Sequence, residues 1–363
     1  MTTGKKLRVM IVDDSLFMRA AIAKTLGAGH SIGGISFEVV GQARTGKEAL
    51  ELLPKLLPDV MTMDFNMPGM NGAETIRQLM LVRPTPVVMF SAHTRQGARE
   101  TFDALAAGAV DFVTKPAGEV SMDLTKIADE LMRKLAVAAV AKPRAAGPPP
   151  RPSGTIAVPN LRDSSPSMSN TGMRAMGGGL PRLVVIAVST GGPAALSEVI
   201  PALPPDLRFA VVVVQHMPAH FTESLAERLD TASRVRVREA EEGDRPMPGQ
   251  VLIAPGDRHL EFDDRGAVVL SSGPLVNGCR PAADLTMVSA ARVYGRRCVG
   301  VVMTGMGKDG TAGVLAIKRA EGKAIAQDAA TSVIFGMPKS AIDAGAIDEI
   351  VPLSGIAGWL RYA

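Results

Sequence analysis

The feature that most restricts this chain is a set of short, unbroken apolar runs. They are Val9–Val12, Val60–Met63, Val87–Phe90, Leu183–Val188 and Phe209–Val214. A strand with one wetted face alternates apolar and polar residues. An unbroken run needs cover on both faces, which a parallel sheet flanked by helices provides. Helix-length stretches lie between the strands: Leu16–Leu26, Gly46–Leu53, Gly72–Met80, Arg95–Ala107 and Leu124–Val140 early, then Pro193–Pro201, Phe221–Leu229, Pro281–Tyr294 and Thr311–Ala320. Glu38–Ala43 and Val110–Phe112 complete five strand–helix units in the first part. Val251–Ala254, Gly300–Thr304 and Ala324–Ala326 extend the second, and Ala267–Leu270 after the Asp264–Gly266 turn reads as part of an antiparallel hairpin. The expected fold is α/β throughout. A five-stranded parallel (βα)5 domain comes first, and a doubly wound α/β domain with a small antiparallel addition follows.

Residues 142–180 interrupt this rhythm with Pro148, Pro149, Pro150, Pro152 and the Gly177–Gly179 run. Such composition buries little and reads as a linker. The expected division is a first domain over 6–126, a helical extension and linker over 127–180, and a second domain over 181–357. Aromatic residues are only 4% of the chain and the net charge is +4, so an aromatic platform for nucleic acid is not expected. Arg234, Arg236 and Arg238 form the one short basic group singled out, and solvated surface is their expected setting. The basic N-terminus meets an apolar stretch that Asp13 and Asp14 cut short, so neither a secretory leader nor membrane insertion is expected. Two cysteines, Cys279 and Cys298, show no metal-ligand spacing and suit a reducing, cytoplasmic setting.

Ligands of parallel sheets sit beyond the carboxyl ends of strands. Asp13 and Asp14 end the first strand and Asp64 the third. Three converging carboxylates need a cation, and a hard divalent ion such as Mg²⁺ is the expected one. Asn66 could add its backbone carbonyl. Ser91 and Lys115, at two further strand ends, could hold phosphoryl oxygens, with one of the three aspartates as acceptor.

Val12-Asp13-Asp14-Ser15, Met63 to Gly72, Ser91-Ala92 and Thr114-Lys115-Pro116 together resemble the response-regulator receiver family. The resemblance implies Asp64 as phosphoacceptor, Asp13 and Asp14 as the acidic metal pocket, and Ser91 and Lys115 as phosphoryl contacts. It makes Phe112 the aromatic whose rotamer follows activation, and it implies a histidine kinase as phosphodonor. Asn66 departs from the acidic residue common at its position.

In the second domain, strand Leu183–Val188 runs into Ser189-Thr190-Gly191-Gly192-Pro193, a strand-to-helix turn. Exposed amides there, with the helix N-terminus, suit a developing oxyanion. The turn is similar to a nucleophile elbow, with Ala187 in place of the first glycine. A serine needs a base and the base an orienting carboxylate. His216 follows the next strand, with His220 and His259 as alternates, and Asp309 lies in the glycine-rich Thr304–Gly310 segment. Helix cap, phosphate loop, structural histidine and turn former are the plain alternatives for these residues taken singly.

Val188 to Pro193, Gln215-His216-Met217-Pro218, Ala254 to His259, Thr304 to Gly310, Ala326-Gln327-Asp328 and Phe335 to Pro338 are similar to the chemotaxis protein-glutamate methylesterase family. The resemblance implies a Ser189, His216 and Asp309 triad, and an oxyanion region of Thr190, Gly191 and Met306. It implies no cofactor in this domain, γ-glutamyl methyl esters of chemoreceptor cytoplasmic domains as substrate, and glutamine deamidation beside ester hydrolysis. Val188 stands where alanine is usual. Three rivals differ: a paralogue serving a pathway outside motility, a transcriptional regulator with a DNA-binding domain, and a non-catalytic docking protein.

Overall fold

Strand-length apolar runs and capped helices alternate as expected in the computed structural model, which describes residues 5–27, 31–115, 125–141 and 180–362. Residues 142–179 of the expected linker, and Pro116, lie outside the described residues. The first domain contains β1 (Lys6–Val12), α1 (Leu16–Gly27), β2 (Ser36–Ala43), α2 (Gly46–Leu56), β3 (Val60–Asp64), α3 (Gly72–Val82), β4 (Val87–Ser91), α4 (Arg95–Ala107), β5 (Asp111–Thr114) and α5 (Thr125–Ala138). Its sheet has the order β2-β1-β3-β4-β5, all parallel. Helix starts are set locally. Asn71 and Glu74 form a reciprocal capping box on α3, and Thr94 accepts from Gly97 N at 2.9 Å to start α4. Leu131, Met132 and Leu135 of α5 pack into the same core as Val9, Ile11, Val88 and Val113, so the helix beyond residue 126 covers this sheet.

The second domain contains β6 (Leu183–Val188), α6 (Gly192–Val199), β7 (Ala210–Gln215), α7 (Phe221–Ala232), β8 (Arg236–Glu239), β9 (Gln250–Ile253), β10 (His259–Phe262), β11 (Val268–Ser271), α8 (Ala283–Tyr294), β12 (Cys298–Val302), α9 (Thr311–Arg319), β13 (Lys323–Gln327), α10 (Met337–Asp343), β14 (Glu349–Val351) and α11 (Leu353–Tyr362). Seven parallel strands run β14-β13-β12-β6-β7-β9-β8, and β10 and β11 make the antiparallel addition. β8 and β14 escape a reading of apolar runs because they are the edges. Edge strands are short and carry charge; Arg236 is exposed and Arg238 is paired to both oxygens of Asp244. The chain order reverses beside β6, which lies between β12 and β7. That crevice is where an open α/β sheet binds ligand.

The two domains pack against each other. One apolar cluster runs from Phe102, Leu105 and Phe112 into Leu196, Phe221 and Leu225. Phe112 stacks on Phe221 with ring centroids 4.5 Å apart and planes 10° from parallel. Around this contact, α4 and α7 are joined by Arg95–Glu223, Arg99–Glu227 and Asp103–Arg228.

Candidate active site and acidic pocket

β6, β7 and β12 are neighbours in the sheet, so the residues at their carboxyl ends converge. Ser189 N donates to Thr304 O at 3.0 Å, and His216 N donates to Val188 O at 3.1 Å. These backbone bonds lock the three loops together. His216 Nε2 lies 2.7 Å from Asp309 Oδ2. Asp309 is buried and also accepts from Ala283 N at 2.6 Å, Asp284 N at 3.1 Å and Asn277 Nδ2 at 3.0 Å. Burial alone would raise its pKa. The His216 hydrogen bond and charge, with these N–H donors, hold it below the usual carboxylate value. Burial opposes the imidazolium, yet the bonds to Asp309 and Cys279 raise His216 above the ordinary imidazole value.

The carboxylate takes Nε2 and leaves Nδ1 to face another partner. Cys279 Sγ lies 3.5 Å from Nδ1, and among the described residues no hydrogen bond joins Ser189 to His216. Nothing in the sequence marks Cys279, Asn277 and Asp284 as site residues. A cysteine without a partner cysteine and an Asn-Gly turn carry no signal of proximity to a histidine more than sixty positions away. The alternate bases lie elsewhere. His259 is buried, with Nε2 2.9 Å from Pro274 O, and His220 starts α7 and meets His93 edge-on.

The turn after Ser189 is tightly filled. Gly191 has φ +78°, and a Cβ there would stand 2.7 Å from Val333 Cβ. Gly305 passes so near Ser189 that an added Cβ would lie 2.8 Å from the serine Cβ. Met306 is exposed on the following loop. Among the described residues no hydrogen bond engages the amides of Thr190, Gly191 or Met306. Thr190 Oγ1 reaches into the first domain and donates to Asp111 Oδ2 at 2.6 Å.

In the first domain, carboxylate oxygens of Asp13, Asp14 and Asp64 lie within 4.8 Å of one another. Lys115 Nζ is 2.7 Å from Asp64 Oδ1 and 3.5 Å from Asp13 Oδ2. Asp13 Oδ2 is buried without a hydrogen bond. Burial, Asp64 and Asp14 outweigh Lys115 and push Asp13 up to about 6. Asp64 is also raised, burial being the largest cause. Burial works against charged Lys115, but the two aspartates raise it. Excess anionic charge and an orphaned oxygen fit a hard divalent cation such as Mg²⁺. Asn66 Nδ2 donates to Glu100 of α4 at 3.0 Å. The Ser91 hydroxyl is buried and donates to Gly97 O at 3.0 Å, beside Thr101 Oγ1 at 2.6 Å. Phe112 is buried against the second domain, as described above.

Among the described residues no helix is long and apolar enough to cross a membrane. Residues 9–126 match the response regulator receiver domain and 184–360 the CheB methylesterase model. The chain is 45% identical to a protein-glutamate methylesterase/protein-glutamine glutaminase of Symbiobacterium thermophilum over 99% of this chain and 97% of that protein. A protein of the same name from Pyrococcus abyssi is 43% identical over 98% of this chain and 92% of its own length. The crystal structure of the Thermotoga maritima CheB methylesterase catalytic domain is similar at 46% sequence identity and TM-score 0.49, covering 50% of this chain and 98% of that one. The response regulator domain of Thermotoga maritima CheB is similar at 41% identity and TM-score 0.35, covering 38% of this chain and 100% of that one. With such identity along nearly its whole length, the chain belongs to the CheB family, the protein-glutamate methylesterase/protein-glutamine glutaminases in which a receiver domain precedes the catalytic domain.

Proposed function

We propose that this chain is a cytoplasmic, phosphorylation-activated serine hydrolase. It removes methyl esters from glutamyl residues of chemoreceptor cytoplasmic domains and deamidates receptor glutamines by the same route. The observation that carries this is the His216 Nε2–Asp309 Oδ2 bond at 2.7 Å, one strand over from Ser189. With Nε2 held, Nδ1 is the nitrogen left for the nucleophile. Substrate binding brings Ser189 Oγ to Nδ1, a contact that commonly tightens only in the loaded enzyme.

Nδ1 takes the Ser189 proton as Oγ bonds to the ester carbon. The oxyanion forms against the amides of Thr190, Gly191 and the Met306 loop. The carbon–methoxy bond then breaks, and methanol leaves with the proton from Nδ1. Water, deprotonated by Nδ1, attacks the acyl carbon; its bond to Oγ breaks as Nδ1 returns the proton to Ser189, and glutamate is released. In deamidation, ammonia leaves in place of methanol.

Control follows from the packing. The receiver touches Thr190, next to the nucleophile, so a receptor helix cannot approach Ser189 while the domains are docked. Asp64 accepts a phosphoryl group from a histidine kinase. Asp13, Asp14, Asp64 and the Asn66 carbonyl would hold Mg²⁺, which would supply charge neutralisation there. Phosphorylation adds about −1.5 to −2 charges. Lys115 follows the new oxygens, and Ser91 gives up Gly97 O to bond one of them. That loosens the tie between β4 and α4, the helix whose Arg95, Arg99 and Asp103 grip α7.

Methanol release from a methylated receptor fragment tests the chemistry: Ser189→Ala should reduce it at least ~1000-fold, and an unchanged rate rejects Ser189 as nucleophile. Comparing the full chain, with and without a phosphodonor, to a fragment starting near Gly179 tests the control. Equal rates in all three reject occlusion.

A further inference from the structure

Gln215 ends β7 immediately before His216 and is 2% exposed. The four residues before it, Val211–Val214, are fully buried valines, and an apolar side chain would continue their packing. Instead a carboxamide sits there. Its Nε2 donates to Ser189 O at 3.1 Å and to His216 O at 3.2 Å. Its Oε1 is buried and without a partner. The reverse amide orientation would set Oε1 against two carbonyl oxygens, so the two donations fix the side chain. Gly192 makes room for it: a Cβ at 192 would stand 2.0 Å from Gln215 Oε1.

One local feature here is unfavourable: the buried acceptor Gln215 Oε1 has no hydrogen bond. It belongs to the one carboxamide that joins the carbonyl of Ser189 to that of His216. A peptide unit is planar and trans, so the carbonyl of one residue and the amide N–H of the next point in opposite directions. Ser189 O is held inward by Gln215 Nε2 and by Gly192 N, the latter at 2.7 Å. The Thr190 N–H is therefore turned the other way.

We infer that Gln215 is a positioning residue for the esterase reaction. By clamping Ser189 O and His216 O it aims the Thr190 amide at the developing oxyanion and sets the spacing of nucleophile and base. The inference rests on the reading of Ser189 as nucleophile. Gln215 touches no substrate atom; it acts through the two peptide planes.

The test uses the full chain with Mg²⁺ and a phosphodonor, and methanol release from a methylated receptor fragment. Gln215→Met fills the same space without a donor. Its kcat should fall about 10- to 100-fold, the scale of a misplaced catalytic geometry, with KM within twofold and the thermal midpoint not lowered. Labelling of Ser189 by a fluorophosphonate should slow in parallel. Gly192→Ala displaces the carboxamide and should lower kcat similarly; in a Gln215→Ala background, where only the contact with Val188 Cγ2 at 2.8 Å remains, it should cost much less. A Gln215→Met enzyme with wild-type kcat overturns the inference, as does full additivity of Gly192→Ala with Gln215→Ala. If Gln215→Met does not fold, the Gly192→Ala pair decides. Retained activity in Ser189→Ala signals failure of the nucleophile assignment instead, and a dead Ser189→Ala with normal Gln215→Met signals failure of the positioning role alone.

Discussion

Thr190 Oγ1 donates a 2.6 Å hydrogen bond to Asp111 Oδ2, tying the residue after Ser189 to the receiver. Asp111 directly precedes Phe112, which stacks on Phe221, so one short strand makes both a polar and an aromatic contact with the catalytic domain. Lys134 lies 3.3 Å from the other Asp111 oxygen and 3.1 Å from Glu130. Burial works against its charge, but these two carboxylates raise its pKa.

Asp111→Ala should activate the unphosphorylated chain. A hydrogen bond to a charged acceptor contributes roughly 1.5–3 kcal/mol, and here it stabilises the docked form. Methanol release without phosphodonor should rise several-fold, while Lys134 keeps Glu130 as a partner. An unchanged basal rate, with a melting curve showing the variant folded, argues against this bond as a restraint.

The three α4–α7 ion pairs are largely exposed, so each contributes up to about 1 kcal/mol and all are screened by salt. Raising salt from about 0.05 to 0.5 M, over which the Debye length shrinks severalfold, should increase hydrolysis by the unphosphorylated chain. The phosphorylated chain should respond much less. Equal salt responses contradict an electrostatic share in docking.

His216 should give the rate an alkaline-displaced pH dependence. Its base form is neutral, and Asp309 and Cys279 favour the charged form, so hydrolysis climbs as pH rises past the ordinary imidazole value. Cys279→Ala removes one of those causes and should move the inflection to lower pH. An inflection that stays put in Cys279→Ala would show that the thiol does not act on Nδ1.

Asp13 links stability to pH and cation. Its folded pKa, about 6, lies above the ordinary aspartate value of 3.8, so the folded form holds the proton more tightly. Stability is lost as pH rises from 3.8 to about 6, and the cost is fully present above that. A shift of this size corresponds to about 3 kcal/mol at most. Asp13→Asn should raise the metal-free melting temperature at pH 7.5 and leave it nearly unchanged well below pH 3.8, the ordinary aspartate value. Mg²⁺ should stabilise the wild type at pH 7.5 and do little for Asp13→Asn. Equal Mg²⁺ shifts in both remove Asp13 from the metal pocket.

The sequence by itself determined the two parallel sheets, because Val9–Val12 or Leu183–Val188 admit no wetted face, and it determined which residues stand at the strand ends. Strand-end position is a local property, which is why Asp13, Asp64, Ser189 and His216 were legible. Edge strands β8 and β14 were not, since half-covered strands carry charges that hide their pattern. Only the tertiary structure decided that Nε2 of His216 takes Asp309, that Cys279 stands at Nδ1, and that Thr190 is bonded to Asp111. Those contacts join residues 93, 63 and 79 positions apart. Their partners are chosen by how sheets and domains pack, and packing leaves no periodic mark along the chain.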